Sequence, residues 1–124
     1  MNSKVFMVVR ILLGLFVLVF GLNKFFDFMP MPEMSAEAGA YFGALSSAKT
    51  LTLVGIVEVV AGLALILNKY GALMALILMS VAVNAVLFHL TLDQGGVGGA
   101  AALLILNIAV IIGYKDKYKD LLVG

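Results

Sequence analysis

Arg10, Glu58, Asn84, His89 and Asn107 stand inside or at the edge of long apolar runs of this 124-residue chain. In hydrocarbon an ionisable side chain at mid-span costs at least about 2.5 to 3.5 kcal/mol, so each needs a partner or a wet cavity. A carboxylate, an imidazole, a guanidinium and two amides can hold the polar head of a ligand, relay protons or glue helices together. Spacing sorts them. Arg10, Gly14, Val17, Gly21 and Lys24 recur at intervals of four and three, which makes one helical stripe, small in the middle and cationic at both ends. Gly55, Glu58 and Gly62 share a face, so the carboxylate projects between two glycines where another backbone can approach. Ser80, Asn84 and Thr91 form a polar line, with His89 about 140° around the helix from Asn84. Asn107 is the strongly polar group of the last run.

Other chemistries are excluded by what is missing. The chain has no cysteine, so dithiol relays, iron–sulfur ligation and thiolate-bound metal fall away. One histidine cannot supply two axial haem ligands. Met29-Pro30-Met31-Pro32-Glu33-Met34 offers thioethers without Cys or His, and no metal site is expected. No phosphate-binding or nucleophile-elbow motif is present, no nucleophile is paired with a base, and the net charge of +1 argues neither for nucleic acid nor for an acidic partner, so no nucleic-acid partner is expected. The expectation is a non-catalytic chain.

The elements that carry these residues follow from composition. Apolar residues make up 64% of the chain and charged residues 12%, too few to cover the surface of a soluble globule. A crossing takes roughly 20 residues, so four use about 80. The runs predict an all-α, integral-membrane, four-helix up-and-down bundle in a single domain, with spans at about 5–26, 50–67, 72–92 and 97–113. Lys4 and Arg10 before an apolar run resemble a secretory signal. No small-residue cleavage site follows, and Asn23-Lys24-Phe25-Phe26-Asp27 reads as the border of an uncleaved span. Ser35 is placed to cap a short helix through Leu45, too short to span and expected at the interface. Gly95, Gly96, Gly98 and Gly99 read as a flexible turn. Lys4, Arg10, Lys69, Lys115, Lys117 and Lys119 fall on one side against Lys24 and Lys49 on the other, which predicts cytoplasmic termini.

Rise per residue puts Glu58 and Asn84 about 12 Å below the outer end of their spans, Asn107 about 15 Å and Arg10 about 20 Å. Arg10 then either reaches Glu58 or snorkels to the inner headgroups. Lys24, His89 and Asp93 fall together near the outer boundary.

Arg10-x3-Gly14, Phe20-Gly21-Leu22-Asn23-Lys24-Phe25, Pro30-x-Pro32, the run from Val54 to Leu63 containing Gly-x-x-Glu-x-x-x-Gly, and Asn84-x3-Phe88-His89-Leu90 resemble the DoxX family of small bacterial membrane proteins. The resemblance implies a four-helix protein of the bacterial cytoplasmic membrane. It also implies a link to membrane redox assemblies, including quinone-linked thiosulfate oxidation and oxidative-stress complexes. Arg10, Lys24, Glu58, Asn84 and His89 match its pattern, and with Asn23 and Asn107 they make up the expected polar network or ligand-binding set. The leading expectation is an accessory subunit or anchor in a membrane redox complex, holding a quinone or lipid-like molecule near Glu58, Asn84 and His89. The alternatives are a proton or small-solute pathway, completed by a homodimer, and a membrane scaffold.

Overall fold

In the computed structural model, residues 1–29 and 33–124 are described; Pro30, Met31 and Pro32 of the methionine–proline segment lie outside them. The chain forms α1 (Ser3–Phe26), α2 (Ala36–Ser47), α3 (Thr50–Leu67), α4 (Gly71–Thr91) and α5 (Val97–Gly113), with short 3-10 turns at Gln94–Gly96 and Lys115–Lys117. There is no strand among the described residues. The helices α1, α3 and α4, together with the stretch Gln94–Gly113, are long and apolar enough to cross a membrane. The protein is therefore a four-span helical bundle whose outward faces, such as Val8, Leu12, Leu15 and Val19 of α1, meet lipid.

Local chemistry sets the boundaries. Asn2 accepts from the Val5 N–H at 2.8 Å, so α1 begins two residues earlier than the apolar run alone predicts. It ends at Asp27, whose N–H still bonds the Asn23 carbonyl while its left-handed backbone (φ 49°) turns the chain out of the helix. The Asn23 side chain accepts from the Met29 N–H at 2.8 Å and ties down the start of the loop. Ser35 caps α2 through the Ala38 N–H. Tyr41 and Phe42 of α2 pack their rings on Phe88 of α4, with centroids 5.4 and 4.9 Å away. The α3–α4 link is tight because Asn68 and Tyr70 are both left-handed.

Around the bundle the order is α1, α3, α4, α5 and back to α1, with α2 laid across one end against α3. The α1–α3 contact is the most extensive and α4–α5 the next. Glycine makes the first of these. A Cβ on Gly62 would lie 2.8 Å from the Gly14 carbonyl oxygen, and one on Gly14 would lie 3.0 Å from that of Gly62. The core is apolar, with Leu13, Val17, Ala61, Leu65, Leu78 and Val110 fully buried. Both termini lie at one end of the bundle, here the terminal end, and α2 lies at the other.

Candidate functional site

Gly21, one stripe residue before Lys24, brings α1 against α3 so closely that a Cβ there would sit 2.9 Å from Cβ of Glu58. The approach carries Lys24 across the interface. Its Nζ donates to Glu58 Oε1 at 2.5 Å, joining an ammonium that keeps 24% of its side-chain exposure to a carboxylate that keeps 5%. The long lysine stem lets a residue near the helix end neutralise a carboxylate about 12 Å inside its span. Glu58 Oε2 has no hydrogen bond among the described residues.

His89 comes in from α4. Its Nδ1 lies 3.0 Å from the Asp93 carbonyl oxygen and 3.4 Å from the Asp93 carboxylate, both acceptors. That contact holds the ring and fits the tautomer with its proton on Nδ1, in which Nε2 is an acceptor, with no partner among the described residues. The ring lies against Gly96, where a Cβ would collide with it. Gly96 therefore has a packing role in the 3-10 turn, and Gly98 and Gly99 belong to the first turn of α5 rather than to a loop.

Lys24, Glu58 and His89 close one end of a cavity of about 350 Å³ whose other walls are Phe16, Phe20, Gly96, Gly99, Ala100 and Leu103. Exposed Phe20 and Gly99 place its mouth between α1 and α5, on the lipid-facing side. A mainly apolar slot ending on a few polar groups is the arrangement that holds an amphiphile by its head. Lys24 also lines a second cavity of about 540 Å³, with Asn23, Asp27 and residues of α2 and α3 such as Phe42 and Thr52. The ammonium thus stands between a membrane-side slot and a space beneath α2.

The other polar residues are elsewhere. Arg10 neither reaches Glu58 nor snorkels: it is 7% exposed and donates from Nη1 to the Leu65 carbonyl and, at 3.2 Å, to that of Ile66. These carbonyls belong to the last turn of α3, where no further helical N–H comes to meet them, so the guanidinium closes that helix end. Leu13, Val17 and Ala61 fill the turns between Arg10 and the Lys24–Glu58 pair. Asn84 is exposed on the outside of α4 and donates to the Ser80 carbonyl of its own helix at 2.7 Å, away from the cavity. Asn107 is fully buried and ties α5 to α4 through the Ala75 carbonyl at 3.2 Å. Its Oδ1 and Arg10 Nε are buried without a partner among the described residues. No group of three or more His, Cys, Asp or Glu that could hold a metal occurs among the described residues.

The DoxX family model matches residues 5–90. The chain belongs to the DoxX family. No curated protein and no solved structure matches it. The part of this DoxX chain that the family model covers includes Lys24, Glu58 and His89, but not the α5 wall formed by Gly99, Ala100 and Leu103. Sequence reasoning missed that wall and the two phenylalanines facing it. The small-residue run from Gly98 to Ala102 was the available signal, since small side chains on one helix leave room beside bulky ones on another.

Proposed function

We propose that this chain is a non-catalytic membrane subunit that holds a quinone-like amphiphile, its head at Lys24, Glu58 and His89 and its tail running out between α1 and α5 toward lipid. The observation that carries this reading is the slot of about 350 Å³, apolar along Phe16, Phe20, Ala100 and Leu103 and polar at one end. A quinone carbonyl accepts a hydrogen bond and a quinol hydroxyl donates one. The ammonium of Lys24 serves the first, and Glu58 Oε2 and His89 Nε2 serve the second. The site therefore suits both redox forms, as an anchor in a redox assembly of the bacterial cytoplasmic membrane requires. A proton pathway has less support, because Leu13, Val17 and Ala61 leave no polar group along α1 and α3 between Lys24–Glu58 and Arg10.

The test is calorimetric titration of the protein in lipid nanodiscs with decylubiquinone and a short-chain menaquinone. Binding of either, weakened about tenfold in Glu58→Gln, supports the reading. Absence of binding by both overturns it.

A further inference from the structure

The outer face of α4 presents a second feature that the cavity does not use. Leu73, Ile77, Ser80, Asn84, Leu87 and Thr91 are all exposed and recur at intervals of four, three, four, three and four. That is an unbroken heptad seam along the helix, on the side opposite the buried Ala75, Leu78 and Ala82. Ser80 and Thr91 have already spent their hydroxyl protons on carbonyls of their own helix, Ile77 and Leu87, each at 2.8 Å. Asn84 is different. Its amide makes one bond, to the Ser80 carbonyl, and Oδ1 accepts from nothing among the described residues. The residue lies about 10 Å from the end of α4 at Thr91 and about 20 Å from its start at Gly71, within hydrocarbon, where an unfilled amide acceptor is costly.

We propose that α4 is the face on which two copies of this chain pair, with Asn84 of each copy hydrogen-bonded to Asn84 of the other. A carboxamide is both donor and acceptor, so it is its own complement across a twofold axis, which few other partners on an apolar surface would be. Lys4, Lys69, Lys115, Lys117 and Lys119 gather at the terminal end against Lys24 and Lys49 at the α2 end, so all copies insert with one orientation. Two α4 helices facing each other are therefore parallel, and a heptad seam with one central Asn sets a parallel pair in a single register. The cavity mouth lies between α1 and α5, so pairing leaves it open and the two assignments stand or fall separately.

The chain has no cysteine, which makes the test direct. Ile77→Cys and Leu87→Cys place single thiols on the seam, and Ile105→Cys places one on the exposed face of α5. In phosphatidylethanolamine–phosphatidylglycerol vesicles under mild oxidation, the seam variants should form covalent dimers at least about tenfold faster than Ile105→Cys. By energy transfer between labelled copies, Asn84→Leu should weaken self-association about tenfold while Asn84→Gln retains most of it. Because the side chain faces outward, the unfolding midpoint of the monomer should not move. Equal cross-linking rates at the three positions, unchanged association in Asn84→Leu, or a cross-linked product containing a different chain overturns the proposal.

Discussion

The two ends of the bundle use a cation in opposite ways. At the terminal end Arg10 is almost fully enclosed and spends its hydrogen bonds on backbone carbonyls of α3, beside a Tyr114 hydroxyl that donates to Asn68 at 2.5 Å and a Tyr118 hydroxyl that donates to the Ala72 carbonyl at 2.7 Å. At the α2 end Lys24 is a quarter exposed, meets a carboxylate and fronts two cavities. A cation committed to backbone closes a structure. One held by a side chain beside open space is available for exchange, because its partner can be replaced by a ligand without unwinding a helix.

That contrast predicts a gradient of mutational effects. Gly62→Val, which drives side-chain atoms into the Gly14 carbonyl, should cost about 3 kcal/mol and lower the unfolding midpoint in detergent more than any change at the cavity. Arg10→Leu should cost about 2 kcal/mol, by loss of charged hydrogen bonds to Leu65 and Ile66, in the same measurement. If it leaves stability unchanged, the terminal end is not a seal. Glu58→Gln should cost about 1 kcal/mol, since Lys24 can turn toward solvent, yet reduce quinone affinity about tenfold. His89→Ala should stay within about 0.5 kcal/mol of wild type and lower affinity a few-fold, separating binding from stability.

The mildest prediction concerns pH. Burial holds the Tyr118 hydroxyl protonated, pushing it up to about 12, with Tyr114 nearby adding to the shift; burial raises Tyr114 too, while Arg10 offsets part of this. A tyrosine with a raised folded value contributes its full stability below the unfolded value of about 10 and loses it as pH climbs through the folded value. Melting scans between pH 9 and 12 should therefore show a gradual fall, reduced in Tyr118→Phe.

The helices were legible because each apolar run is bounded by charge, glycine or a capping residue, and Ser35 acted as such a residue does; the Asn2 cap lay outside the apolar run and moved the start of α1. The stripe from Arg10 to Lys24 was also readable, since its glycines mark a close approach whatever they approach. Which residue answers Glu58 was not, because depth reckoned from rise per residue ignores the reach of a lysine stem and the relative slide of two helices. Asn84 was hardest to orient. A membrane helix is apolar on every side, so the contrast between faces that orients a helix in a soluble protein is absent from α4, and neither Asn84 nor His89 declares its direction until the neighbours are in place.

The strong pairing of α1 with α3 and of α4 with α5, set beside the weaker contacts between the pairs, divides the bundle into two helical leaves. The slot opens at one of the two seams. On the proposed reading, a guest arriving from the bilayer would pass between Phe16 and Phe20 on one side and Ala100 and Leu103 on the other, displacing side-chain contacts rather than backbone hydrogen bonds. On the proposed reading, loading from lipid would then work on the looser seam, while Gly14 and Gly62 keep α1 and α3 in close contact.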